Sequence, residues 1–220
     1  MFFTTEEMYF LNQLSDGPEP ANIALELPKL YPPDIGEKII EGLQEKQVLD
    51  KNKKLTRAGL VPVRALEIYK NAAEHIRLNG LCIGLTPDRK MITIAAREGG
   101  YEMLSIMPEV LICVFLNHLG FLQGMDDKED GGQQELLTFH RWKKTVNDCR
   151  GYIVLEKFSH GNPEWIKIYY AFGNEGYVYH LRQQTRTRLS PYRMRLCLMA
   201  DCRINSEHKG GTCRWEIKMN

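Results

Sequence analysis

The sequence predicts an α+β fold: two quasi-equivalent β-β-β-α units behind an N-terminal, winged-helix-like helical module. Three observations carry that prediction. Residues 151–199 hold three runs rich in aromatic and β-branched side chains, split by Gly, Asn and Pro, and then a helix start. Residues 75–119 repeat the order, with Gly-Tyr opening the last strand and Pro opening the helix in both places. Residues 1–72 instead space their apolar side chains at helical intervals.

The elements follow from the N-terminus. Thr4 or Thr5 ahead of Glu6 and Glu7 reads as a helix cap with acid in the first turn, where the helix dipole favours it. Met8, Phe10, Leu11 and Leu14 form the apolar stripe, and Pro18-Glu19-Pro20 ends it. Residues 23–30 read as a short apolar segment. Pro33-Asp34 open a second helix with Ile35, Ile39, Ile40 and Leu43 on one side. Val48–Asp50 and Lys54–Thr56 flank a polar turn and read as a two-stranded wing, and residues 57–74 as a linker helix. Residues 1–72 thus form the helical module.

The first unit spans residues 73–122: an apolar run over 75–85 broken by Gly80, strands over 90–96 and from Gly100, and a helix over 108–119. Residues 123–134 are polar, acidic and glycine-rich and read as a mobile loop. Residues 135–204 read as a helix over 135–149 and then the second unit. Its strands cover 151–158, 163–172 and 176–181, and Ser190 caps a helix with Pro191 at its first position. The Gly-to-Pro offset is 8 residues in the first copy and 15 in the second, so residues 183–189 read as an insertion. Residues 205–220 form a basic tail.

The totals exclude several classes. An apolar content of 43% supports a packed core and is too high for a disordered chain. A net charge of +1 argues against a nucleic-acid binder by composition. The charge is uneven: residues 141–220 carry 15 basic and 7 acidic side chains, while residues 1–140 carry 14 and 21. None of the six cysteines forms a Cys-x-x-Cys pair, no apolar run reaches about 18 residues, and Phe2-Phe3 runs straight into Thr4-Thr5-Glu6-Glu7 without a signal peptide. A cytoplasmic protein without structural disulfides is expected.

No constellation for catalysis or metal binding stands out, so no catalytic residue, metal or cofactor is expected. Ser159 and His160 are neighbours in a hairpin and point to opposite faces. Cys202, His208 and Cys213 match no common zinc spacing and lack a fourth ligand. Gly99-Gly100 precedes a strand, where a phosphate loop would precede a helix. A winged-helix DNA-binding transcriptional regulator is the alternative reading. DNA recognition would need Lys and Arg on the second long helix, which instead carries Asp34, Glu37, Glu41 and Glu45 against Lys38 and Lys46.

Two features point to partner binding. In the second unit Ile166, Ile168, Tyr170 and Phe172 alternate with Trp165, Lys167, Tyr169 and Ala171, so one face is expected to be core. The other either exposes Trp165 and Tyr169, with Tyr177 or Tyr179 from the next strand nearby, or is covered by helices of the same chain. The segment with Arg182, Arg186, Arg188, Arg193 and Arg195 contains no acid and reads either as a solvated face or as a surface for an acidic partner.

The chain resembles the EspG-type chaperones of type VII (ESX) secretion, and among them the shorter EsaE-like accessory proteins of Gram-positive bacteria. The resemblance rests on Phe3-Thr-Thr-Glu-Glu7, Leu55-Thr56 with Gly59, and Ile92-Thr-Ile94 with Gly99-Gly-Tyr-Glu-Met103. Gly176-Tyr-Val-Tyr179 and Leu189-Ser-Pro-Tyr-Arg-Met-Arg-Leu196 complete it, and the basic tail after Ile204 falls outside it. It implies an EspG-like fold and a non-enzymatic cytoplasmic chaperone. Such a protein holds a secreted helical substrate soluble and delivers it to the secretion machinery, possible partners including the secretion ATPase. The partner-binding residues are then Trp165, Tyr169, Tyr177, Tyr179, Arg182, Arg186, Arg188 and Arg193.

Overall fold

The computed structural model describes residues 1–23, 25, 34–86, 91–105, 110, 119–123, 132, 134–149 and 151–202. These form an α+β structure built on one ten-stranded antiparallel sheet in the order β1-β5-β4-β3-β2-β7-β8-β9-β10-β6. The strands are β1 Phe2–Thr4, β2 Glu74–Leu78, β3 Leu81–Leu85, β4 Met91–Arg97, β5 Gly100–Ser105, β6 Gln134–Leu136, β7 Tyr152–Ser159, β8 Asn162–Phe172, β9 Glu175–His180 and β10 Thr185–Leu189. The helices are α1 Thr5–Leu14, α2 Ile35–Glu45, α3 Leu60–Lys70, α4 Phe139–Val146 and α5 Pro191–Asp201.

The strand order reads as two mirrored halves. Meander β2-β3-β4-β5 meets meander β7-β8-β9-β10 at the central β2–β7 pair, where Leu78 faces Leu155 and Glu74 faces Ser159. Each meander ends on a short added strand, β1 against β5 and β6 against β10. Each added strand leads into a helix capped by a threonine. Thr4 and Glu7 exchange side-chain-to-backbone bonds in a capping box that starts α1, and the Thr138 hydroxyl accepts from the Arg141 N–H to start α4.

The strand pattern of the two halves differs from the expected β-β-β-α. The run over 75–85 is a hairpin, with Asn79 at φ 51° and Gly80 in the turn between β2 and β3. Residues 183–189 are no insertion. Thr185, Thr187 and Leu189 alternate with Arg186 and Arg188, and that two-residue period makes β10. The second meander thus has the same four strands as the first. Ser190 and Pro191 start α5 as expected. Gln134–Leu136 is strand where helix was expected, so α4 is shorter than predicted. Only part of the wing forms, as the single bridge Leu49 to Leu55. Most of the apolar segment over 23–30, the helix over 108–119, the loop over 123–134 and the whole basic tail lie outside the described residues.

Burial sorts the sheet into two faces. On one, Met8, Leu11, Leu43, Leu66 and Tyr69 from α1–α3 pack on Cys82, Ile92, Ile94 and Met103. The same face carries α4 over the second half, where Trp142 packs on Ile168, Tyr170, Tyr177 and Tyr179. The opposite face runs across both halves: Ile76, Leu78, Ile83 and Leu85 join Ile153, Leu155, Tyr169 and Val178 under Met194 and Leu198 of α5. Each fully buried side chain of this size stabilises by about 1.5–3 kcal/mol, so this shared core welds the halves. No helix of the described residues is long and apolar enough to cross a membrane.

Candidate partner-binding face

The two halves differ most on the face shared by α1–α4. Among the described residues, three helices lie on the first half and one short helix on the second. α4 reads Phe-His-Arg-Trp-Lys-Lys-Thr-Val, so only Trp142 is fully buried and the cations sit on the solvent side. Trp142 stacks on Tyr179 with ring centroids 5.3 Å apart, and half-exposed Phe139 stacks on Trp142 at 5.5 Å. Tyr170 stacks on Tyr177 at 5.5 Å, and the Arg186 guanidinium lies 4.7 Å over the Tyr177 ring.

This cluster is apolar in packing but incompletely satisfied. The Trp142 indole N–H and the Tyr170 and Tyr179 hydroxyls are buried without a hydrogen-bond partner among the described residues. Burial raises the pKa of both tyrosines, and Arg186 beside Tyr170 opposes that without reaching hydrogen-bond geometry. Tyr177 differs: its hydroxyl bonds to Glu175, and burial with that carboxylate pushes its pKa up to about 12.

The residues expected to form one binding surface are split between faces. Tyr169 is fully buried beneath α5, because its hydroxyl donates to Asp201 at 2.6 Å while Lys167 pairs with the same carboxylate at 2.6 Å. Trp165 lies on that same face, half-buried against the shared core, with the Lys167 ammonium 4.5 Å over its ring. Tyr177 and Tyr179 are buried on the other face, beneath α4. The expectation that the alternation exposes an aromatic face is thus corrected: the chain's own helices cover both faces here.

The arginines are largely engaged as well. Arg186 pairs with Glu135 of β6, and Arg188 pairs with Glu175 at 2.9 Å. Arg182 is exposed and donates to the Pro163 carbonyl. Arg193 is exposed on α5, its backbone N–H held by the Ser190 hydroxyl.

What the structure brings together instead is an open groove at the junction of the halves. It has a volume of about 460 Å³ and is lined by Arg77, Asn79, Tyr152, Val154 and Glu156. Register fixes the face: Arg77 opposes both Cys82, which lies under α3, and Glu156, so the groove opens between α3 and α4. Arg77 Nη2 donates to both carboxylate oxygens of Glu156, at 2.8 and 2.7 Å, with the Arg77 guanidinium also 5.9 Å over the Phe158 ring. Tyr152 is 50% exposed, and Phe172, on the strand that pairs with β7, is 40% exposed. The sequence held a signal for this site. Arg77 falls between Ile76 and Leu78, and Glu156 follows Ile153-Val154-Leu155; an unpaired charge there is not tolerated in a strand covered on both faces.

Among the described residues, no group of three or more His, Cys, Asp or Glu side chains is placed to hold a metal. Cys82, Cys149, Cys197 and Cys202 are free thiols whose pKa values burial raises, Cys202 to about 12, the opposite of an activated nucleophile. His75 and His180 are held below the usual imidazole pKa by burial. His75 sits edge-on to Tyr69, 4.7 Å away, and bonds its backbone carbonyl.

The protein-family model that matches is described as "Domain of unknown function (DUF5081)", over residues 1–156. The chain belongs to that family. The matched residues take in the helical module, the first meander, β6 and α4, and end within β7, so they include the groove residues Arg77, Asn79, Tyr152, Val154 and Glu156. The expected binding residues from Trp165 onward lie beyond them. No curated protein matches the chain.

Proposed function

We propose that the chain is a non-enzymatic adaptor or chaperone that holds a helical segment of a secreted protein. The observation that carries this reading is the groove at the centre of the sheet, open between α3 and α4 and edged by half-exposed Tyr152. A helix laid along such a groove buries its apolar face on Tyr152 and Val154, while Arg77 and Glu156 offer a paired cation and anion to its polar edge. The resemblance to EspG-type chaperones of type VII secretion supports the same reading, including an EspG-like fold of two quasi-equivalent halves and a cytoplasmic location. DNA binding is disfavoured by α2, whose exposed Glu37, Glu41 and Glu45 would repel phosphate.

The test is retention of partners from native cells by the purified chain and by a Tyr152→Asp variant. Tyr152 is half-exposed, circular dichroism checks that the variant keeps its fold, and the reading requires that the folded variant lose a secreted helical protein that the parent retains. Recovery of nucleic acid alone, or equal retention by both, contradicts the reading.

A further inference from the structure

The groove says where a partner helix lies; α4 says what the partner carries. The solvent side of α4 presents His140, Arg141, Lys143 and Lys144, and no acid lies within Phe139–Val146. Arg141, Lys143 and Lys144 have no ion-pair partner among the described residues. Of the neighbouring carboxylates, Glu135 is committed to Arg186 and Glu175 to Arg188 and Tyr177, which leaves exposed Asp148, just past the end of α4, against four basic side chains. One apolar side chain flanks the cations at the start of the helix, Phe139 at 46% exposure. Cations on the solvent side and an exposed aromatic ring at the helix start together ask for a ligand with carboxylates and an apolar side.

We propose that α4 takes the acidic segment of the same partner helix that occupies the groove, an inference that rests on the adaptor reading. The other helices on this face decide between a protein carboxylate and a phosphate-bearing surface. α2 exposes Glu37, Glu41 and Glu45 on the same face of the sheet. A duplex or an anionic membrane is uniformly negative and would be repelled on that side. A helix with acid confined to one end meets Arg141, Lys143 and Lys144 with that end and avoids α2.

The experiment uses the intact chain and two labelled synthetic amphipathic helical peptides. They are identical except that the polar residues at one end are Glu in one and Gln in the other. Fluorescence anisotropy should show the Glu peptide binding about tenfold tighter at 50 mM NaCl, with the difference nearly gone at 500 mM. The triple variant Arg141→Glu, Lys143→Glu, Lys144→Glu should abolish the preference and leave circular dichroism unchanged; the milder Lys143→Gln, Lys144→Gln pair should reduce it. Tyr152→Asp should weaken both peptides alike, because it acts on the groove. Equal binding of the two peptides, binding of neither, or a preference that survives the triple variant overturns the inference. Stronger binding to duplex DNA or to phosphatidylserine vesicles than to the Glu peptide overturns it as well. Equal binding with sensitivity to Tyr152→Asp would leave the adaptor reading standing while removing the acidic segment.

Discussion

Removing a hydroxyl should have opposite effects at two tyrosines ten residues apart. Tyr169 and Tyr179 are both fully buried in the second meander. The Tyr169 hydroxyl donates to Asp201 at 2.6 Å, whereas the Tyr179 hydroxyl has no partner among the described residues. A bond to a charged acceptor contributes about 1.5–3 kcal/mol, and an unmet buried polar atom costs about 1–3 kcal/mol. Tyr169→Phe should therefore destabilise by about 2 kcal/mol. Tyr179→Phe keeps the 5.3 Å stack on Trp142, sheds the unmet hydroxyl, and should stabilise by about 1 kcal/mol. Urea unfolding reads both: with a slope near 2 kcal/mol/M, the midpoint falls by about 1 M for the first and rises by about 0.5 M for the second. Destabilisation of similar size at both positions would refute the account of the α4 cluster as incompletely satisfied.

Two further outcomes follow from the same packing. Burial holds His75 below its usual pKa, so the unfolded chain binds more protons near pH 6; stability should fall as pH drops from about 7 to about 5, and His75→Gln should flatten that slope in urea titrations at the two pH values. Gly100→Ala would place a methyl 2.1 Å from the Phe3 carbonyl oxygen, where β1 crosses β5, and should cost about 3 kcal/mol with loss of hydrogen-exchange protection in β1.

The local grammar of the chain was legible because it is written in short-range chemistry. Thr4 with Glu7, and Ser190 with Pro191, mark helix starts that do not depend on anything distant. The alternation in β8 and β9 is equally local. Strand count was lost where local signals compete. Gly80 after Asn79 reads as a break in one apolar run, although that pair is a hairpin turn. The arginine content of β10 hid a period-two strand behind its charge.

The site was harder for a physical reason. Whether Tyr169 is exposed depends on α5 delivering Asp201 over it, and whether Tyr179 is exposed depends on Trp142 of α4. Alternation assigns a face but cannot say which distant helix covers it. The same gap concealed the groove. Arg77 and Glu156 are 79 residues apart, and only the antiparallel junction of β2 with β7 brings them together.

Photocrosslinking from position 152 tests the central claim most directly. A photoreactive phenylalanine analogue there, introduced into the full chain in its native cell, should capture a secreted helical protein, and one at the exposed wing residue Lys51 should not. Capture of nothing from position 152, of nucleic acid, or of the same species from both positions would contradict the account.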